Sequence, residues 1–81
     1  MKVDYLPRAL KALEESSLAT QKAFFKQVRL LEQDLRHPSL RAKKYDESRD
    51  LWQARVSRDW RFYFVIDGET YVIVDITRRP K

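Results

Sequence analysis

The spacing of the apolar residues changes once along this chain, from a helical period in the first half to a period of two after residue 50. Phe24, Val28, Leu31 and Leu35 recur every three or four residues, which places them on one side of a helix. From Leu51 onward apolar and polar residues alternate, as in strands with one buried face. Helical and strand patterns in separate halves predict an α+β fold, here one domain over residues 1–81.

The first half predicts a short strand over residues 2–5 and then two helices. Pro7 suits the first turn of a helix, where its missing N–H costs nothing, and Leu10 and Leu13 follow one helical turn apart.

A short break separates the two predicted helices. Ser16 and Ser17 interrupt the first helix and offer an N-cap for the second. The second helix should end near Arg36, because His37 precedes Pro38 and a residue before proline disfavours helix. Helices joined so closely predict an antiparallel hairpin, packed on a three- to four-stranded antiparallel sheet.

Three strands of that sheet come from the alternating second half. A turn at residues 57–59 places the apolar sides of the first two strands on the same face. Asp67 and Gly68 by themselves suggest a two-residue hairpin to the third strand. An odd loop over residues 67–69 is preferred here, because it brings the apolar side of the third strand beside Phe62 and Phe64. The apolar sides are Trp52, Ala54 and Val56; Trp60, Phe62, Phe64 and Ile66; and Val72, Val74 and Ile76.

The opposite face of the predicted sheet carries two arginines. In this register Arg55, Arg61 and Asp75 form one cross-strand row, and Gln53 and Tyr63 form the next. Like charges directly opposite each other destabilise a sheet, so two interpretations stand side by side. Asp75 neutralises Arg61 in a cross-strand salt bridge, or the two guanidinium groups bind an anion such as phosphate in bidentate geometry.

Further positive charge surrounds this row. The chain has 17 Lys and Arg against 12 Asp and Glu, for a formal charge of +5, which favours an anionic partner without choosing between nucleic acid and an acidic protein. The basic residues near the row are Arg41, Lys43 and Lys44 in the predicted loop over residues 37–46, and Arg78, Arg79 and Lys81 at the end of the chain.

Composition excludes several classes of site. The chain has no Cys and one His, which removes disulfides, a Cys nucleophile and a His- or Cys-based metal site. Its longest apolar run, Phe62 to Ile66, is far shorter than the ~20 residues of a membrane span. The sequence shows no apolar signal-peptide region, so we expect a cytoplasmic protein.

Three segments together carry a resemblance to a known family. They are Pro7-Arg8-Ala9-Leu10; His37-Pro38-Ser39-Leu40-Arg41-Ala42-Lys43-Lys44; and Leu51-Trp52-Gln53-Ala54-Arg55-Val56 followed by Asp59-Trp60-Arg61-Phe62-Tyr63. Their order on a small basic chain resembles the RelE/ParE toxin superfamily, across essentially the whole sequence. The resemblance implies the toxin of a type II toxin–antitoxin pair, with a cognate antitoxin as its partner.

The resemblance also implies an activity and a set of site residues. Ribosome-dependent members cleave mRNA without a metal or other cofactor, through attack of the ribose 2′-OH. Arg61 matches the arginine that contacts the scissile phosphate, and Arg55 and Arg79 complete the catalytic set expected here. Members often carry a His or Tyr after the last strand, where this sequence has Arg78 and Arg79. The RNA-binding residues expected here are Arg41, Lys43, Lys44, Tyr63, Arg78 and Lys81.

Two other functions remain open at this point. A ParE-like chain would inhibit DNA gyrase by protein contact and would need no catalytic groups. A degenerate member would only bind its antitoxin.

Overall fold

A computed structural model describes residues 1–79. Its five strands form one sheet in the order β1-β5-β4-β3-β2, in which β1 runs parallel to β5 and the other neighbours are antiparallel. The α+β class is confirmed, although the sheet is mixed and larger than the expected three or four strands. The elements are β1 (Lys2–Tyr5), α1 (Pro7–Glu14), α2 (Leu18–Gln33), β2 (Lys43–Asp46), β3 (Leu51–Arg55), β4 (Trp60–Asp67) and β5 (Thr70–Arg78), with 3-10 turns at Pro38–Leu40 and Glu47–Arg49.

The strand that sequence reasoning missed is β2, which lies in the predicted loop. Its residues Lys43–Asp46 are mostly polar, so they show no apolar alternation. The segment becomes a strand because it pairs with β3 at the edge of the sheet. Lysines on a short edge strand are typical, since they oppose pairing with further strands.

The helices begin where their capping residues predict. Pro7 is the first residue of α1, and the Ser17 side chain accepts a hydrogen bond from the Thr20 N–H (3.2 Å) at the start of α2. The second helix ends at Gln33 rather than near Arg36. Asp34 is extended, and its carboxylate accepts the N–H of Arg36 (2.9 Å), which offers the backbone an alternative to the helical bond.

The core lies between the helices and one face of the sheet. Phe24 of α2 is fully buried and meets the ring of Phe62 edge-on, with 5.4 Å between ring centroids. In α1, Ala9 and Leu13 are buried, whereas Leu10 is 49% exposed. The apolar side of the first helix is therefore narrower than its leucine spacing suggests.

The register of β3 against β4 is confirmed, with Ala54 opposite Phe62 and Arg55 opposite Arg61. The odd loop between β4 and β5 is wrong. Asp67 pairs with Thr70 across the two residues Gly68 and Glu69, and Gly68 takes the positive φ (60°) that such a tight turn requires.

A bulge in β5 resolves the conflict that had favoured an odd loop. Phe64 pairs with Ile73, but Tyr63 pairs with Asp75, so Val74 is the extra residue. Beyond it, Ile76 rather than Val74 lies opposite Phe62. Tyr71, Ile73 and Ile76 are consequently the buried residues of β5.

No helix in the described residues 1–79 is both long enough and apolar enough to cross a membrane.

Candidate functional site

Two rows of side chains cross the face of the sheet that the helices leave uncovered. Arg55, Arg61 and Thr77 stand opposite one another in the first row. Gln53, Tyr63 and Asp75 form the second row. The prediction that the carboxylate of Asp75 shares the arginine row is therefore wrong, because the bulge at Val74 moves it one row along.

The salt bridge between Asp75 and Arg61, one of the two interpretations left open by the sequence, is also absent from the part of the chain that the structure describes. Arg61 bonds backbone carbonyls instead. Its Nη1 donates to the oxygens of Ser57 (2.7 Å) and Trp60 (2.9 Å), with a longer bond to Arg58 (3.4 Å). Nε and Nη2 have no hydrogen-bond partner within residues 1–79, so one edge of the guanidinium remains open to an anion.

Three other arginines are close enough to influence Arg61. Burial lowers the pKa of Arg61, and the positive charges of Arg79, Arg55 and Arg41 lower it further, in that order. Arginine stays protonated at any physiological pH. The lowered pKa therefore reflects burial first and, second, the positive charges around Arg61. We call Arg41, Arg55, Arg61 and Arg79 the arginine cluster.

Arg79 and Arg41 belong to segments that are distant in sequence from Arg55 and Arg61. The N–H of Arg79 donates to the carbonyl of Asp59 (2.6 Å), which holds the end of β5 beside the β3–β4 turn. Arg41 follows the 3-10 turn Pro38–Leu40 in a left-handed conformation (φ 47°). That conformation costs a residue with a side chain about 1–2 kcal/mol.

Gln27 of α2 joins these segments from inside the protein. Its side chain is 6% exposed, and its amide donates to the carbonyls of Ser39 (2.9 Å) and Arg55 (2.8 Å). It thereby ties the turn before Arg41 to the strand that carries Arg55. These residues and Pro38 line an open depression of about 420 Å³.

We expect Gln27→Met to destabilise the fold by about 1–3 kcal/mol for each buried carbonyl left without a donor. Methionine conserves the volume of the side chain and removes both hydrogen bonds. Urea unfolding measures the effect, and Gln33→Met at the exposed end of α2 is the matched control. Equal stabilities of the two variants would show that Gln27 does not hold these segments together.

Sequence reasoning missed Gln27, although a signal was present. It is a polar residue between Phe24 and Val28 on the apolar side of α2. A buried amide there needs hydrogen-bond partners from elsewhere in the fold. The pattern alone cannot name those partners, which are 12 and 28 residues away.

The remaining predicted site residues are divided between the two faces of the sheet. Lys43 is opposite Gln53 and so shares the uncovered face with Tyr63. Lys44 and Arg78 are opposite tryptophans on the helix side, and the structure does not bring them to the arginine cluster. Lys81 lies outside the described residues.

Lys44 is instead engaged locally. Its ammonium bonds Asp50 (3.0 Å) and lies 5.2 Å from the centroid of the Trp52 ring. The bond to Asp50 raises the pKa of Lys44. This arrangement favours a structural position for Lys44 beside the β2–β3 connection.

A second depression of about 270 Å³ lies on the uncovered face, among residues that include Tyr45, Tyr63, Asp75 and Thr77. The rings of Tyr45 and Tyr63 meet edge-on, 5.1 Å apart. Gln53 donates to the hydroxyl of Tyr63 (3.1 Å). We call this depression, whose polar and aromatic lining residues are Arg8, Tyr45, Arg49, Tyr63, Asp75 and Thr77, the tyrosine depression.

The carboxylate of Asp46 borders this depression through its partner Arg49, which is one of the lining residues. Hydrogen bonds from Ser48 and then Arg49 lower the pKa of Asp46 to about 2. Asp46 is therefore fully ionised near neutral pH. No three His, Cys, Asp or Glu side chains in residues 1–79 are grouped so that they could hold a metal ion.

Comparison with known proteins finds matches among solved structures only. No family model matches the sequence, and no curated protein does so. A YoeB/ParE toxin from Agrobacterium tumefaciens superposes with a TM-score of 0.83 at 10% identity, covering 99% of this chain and 100% of the other. The archaeal RelE–RelB complex from Pyrococcus horikoshii OT3 gives 0.82 at 20% identity, covering 99% and 96%.

A third match is the toxin–antitoxin complex RelBE2 from Mycobacterium tuberculosis, with a TM-score of 0.78 at 20% identity and 96% of each chain covered. Identities this low show the fold. The chain therefore has the fold of the RelE, YoeB and ParE toxins, as its sequence motifs led us to expect.

Proposed function

We propose that this chain is the toxin of a type II toxin–antitoxin pair and that it inhibits translation by cleaving mRNA on the ribosome without a metal ion. The observation that carries the proposal is the arginine cluster. Arg55 and Arg61 stand opposite each other on the uncovered face, and no carboxylate in residues 1–79 forms a salt bridge with either. A sheet that accepts this repulsion is suited to bind an anion.

The chemistry proposed is attack of a ribose 2′-OH on the adjacent phosphorus. The new O–P bond forms as the bond to the 5′-oxygen breaks, the 2′-OH proton passes to solvent water and the departing 5′-oxygen takes a proton from water, which yields a 2′,3′-cyclic phosphate and a 5′-OH. Negative charge on the phosphoryl oxygens grows in the transition state. Arg61 faces that charge with the open edge of its guanidinium, and Arg55 and Arg79 add to the positive potential.

Preorganisation is what Arg61 contributes beyond its charge. Three carbonyls hold Nη1 in place before any substrate arrives. A donor that is already oriented need not reorganise during the reaction, which increases its effect on the rate.

The proposed partner is a cognate antitoxin. Two of the three matched structures described above are complexes, of RelE with RelB and of RelBE2. An acidic segment would suit this chain, because Lys22, Lys26 and Arg29 line a depression on the outer side of α2 together with the half-exposed ring of Phe25.

The test is induction of the chain without an antitoxin, with mRNA 5′ ends mapped and DNA supercoiling assayed in the same cells. We expect new 5′ ends that recur at one position within codons. Intact transcripts with inhibited gyrase would replace this proposal by the ParE-like alternative. Intact transcripts with normal growth and supercoiling would indicate a chain that only binds its antitoxin.

A further inference from the structure

We propose that Gln27 is a positioning residue of the arginine cluster. Its buried amide sets where Arg41 and Arg55 stand relative to each other, so that both can bind one phosphate. This inference rests on the proposed function and adds a residue that acts through the arginines rather than on the substrate.

The carbonyl of Arg55 points away from β4, toward the edge of the sheet. The N–H of Val56 donates to the carbonyl of Trp60 (3.0 Å), so Arg55 and Arg61 form the kind of antiparallel pair that shares no hydrogen bonds. The side chains of such a pair stand closer together than those of a hydrogen-bonded pair. The two arginines therefore start from neighbouring points, and the carbonyl of Arg55 needs a donor from its other side.

Strand β2 does not supply that donor. It begins at Lys43, which is opposite Gln53, and the same register continued by two residues would place Arg41 opposite Arg55. Arg41 instead has a positive φ (47°), which is incompatible with a strand. The amide of Gln27 takes the place of the missing strand residue and donates to the carbonyl of Arg55 (2.8 Å).

The same amide also fixes the segment before Arg41. An amide nitrogen has two hydrogens to donate, and that of Gln27 also bonds the carbonyl of Ser39 (2.9 Å). The next residue, Leu40, is fully buried. A left-handed conformation in a residue with a side chain persists only where its surroundings impose it, and such strain is concentrated at functional sites. One side chain thus determines the positions of both arginine-bearing segments.

The depression between these segments has the chemistry of a phosphate site. Its lining residues within the described part of the chain, none of them acidic, are Gln27, Pro38, Ser39, Arg41 and Arg55. Bidentate bonds from guanidinium groups to a phosphate depend on geometry as well as on charge. Loss of the amide would leave both arginines charged but would release the segments that carry them.

The first experiment titrates inorganic phosphate into the full chain while the side-chain Nε–H resonances of Arg41 and Arg55 are followed by NMR. We expect both resonances of wild type to shift along one binding curve. Gln27→Met, which conserves volume and removes both hydrogen bonds, should weaken this binding about tenfold. Val28→Ala is the matched control, because it removes buried apolar volume from the same helix and leaves both hydrogen bonds in place. It should bind phosphate as wild type does.

The second experiment measures cleavage in a purified translation system. Gln27 is too buried to contribute to docking on a ribosome, so Gln27→Met should leave KM for ribosomes unchanged. It should lower kcat about 10- to 100-fold, since misplaced groups lose that much. In an Arg41→Ala background the same substitution should lower kcat much less, because effects that act through one residue are not additive. Additive losses would show that Gln27 does not act through Arg41.

A third measurement needs no variant, and it decides the matter if Gln27→Met does not fold. Coupling between two sites is reciprocal, so a phosphate that holds the two arginines should also hold the amide between their segments. We expect hydrogen exchange of the Gln27 side-chain amide to slow several-fold at saturating phosphate. Exchange at an unchanged rate would overturn the inference.

The outcomes separate the inference from the function on which it rests. Phosphate binding that is weakened in Gln27→Met and not in Val28→Ala supports the positioning role even if wild type does not cleave mRNA, a result that rejects the nuclease alone. Equal phosphate affinity in wild type and Gln27→Met overturns the positioning role even if mRNA is cleaved. A wild type that binds no phosphate overturns it in either case.

Discussion

Replacement of Arg61 by Ala is expected to lower the rate of mRNA cleavage about 100- to 1,000-fold, the usual loss when one oriented donor to a developing oxyanion is removed. The open edge of this guanidinium has no partner among residues 1–79, and Nη1 is held by the carbonyls of Ser57 and Trp60. The rate of mRNA cleavage in a purified translation system measures the effect. Growth on induction without an antitoxin should recover in parallel.

Two further variants identify the cause of that loss. Arg61→Lys keeps the charge but removes the planar fork, so we expect a rate between those of wild type and Arg61→Ala. Arg58→Ala removes an exposed arginine from the same turn and serves as the matched control. An Arg61→Ala protein that cleaves at the wild-type rate would contradict the assignment of this residue to the phosphate.

The same substitution should leave the fold largely intact. Arg61→Ala loses two short hydrogen bonds, each worth about 1 kcal/mol, but it also relieves the repulsion from Arg55 across the strand pair. Because these contributions have opposite sign, we expect a change in unfolding free energy of about 1 kcal/mol or less. A loss of activity in a folded protein then reports chemistry rather than stability.

Replacement of Phe24 by Ala is the substitution expected to affect stability most. Phe24 is fully buried and contacts the rings of Tyr5 and Phe62, at 6.1 Å and 5.4 Å between centroids. It thus joins α2 to two strands of the sheet. We expect a loss of about 3–5 kcal/mol, a large share of the stability of any small domain, measured by urea unfolding.

The neighbouring phenylalanine provides the control. Phe25 is 46% exposed on the same helix, so Phe25→Ala should cost far less. If Phe24→Ala does not fold, Phe24→Leu keeps most of the buried volume and should give a smaller, measurable loss. Equal costs at the two positions would show that Phe24 does not occupy the centre of the core.

The pattern of apolar residues already contained the α+β class, both helices, three of the strands, and the faces and register of β3 and β4, whereas the face predicted for Val72 and Val74 of β5 was wrong. These properties follow from local periodicity, because side chains alternate across a strand and recur every third or fourth residue along a helix. The sequence could therefore predict Arg55 opposite Arg61 on the uncovered face. It could not predict whether a carboxylate joined them.

Tertiary structure decided the position of Asp75. Nothing in the local sequence around Val74 marks it as the extra residue of a bulge. The bulge forms at Val74 because two requirements are met together there. Gly68 and Glu69 form a tight turn, and Ile73 and Ile76 lie opposite Phe64 and Phe62 in the core. Which position satisfies both requirements is determined only when the helices and the sheet pack into one core.

The completed cluster likewise depends on contacts between residues far apart in the sequence. Arg41 and Arg79 lie near enough to Arg61 to lower its pKa. The amide of Gln27 donates to the carbonyl of Ser39, two residues before Arg41, and the carbonyl of Asp59 accepts the N–H of Arg79. The acceptor in each contact is a backbone carbonyl, a group that every residue has. Local patterns therefore determine which side chains a face displays, and the packing of distant segments determines which of them meet.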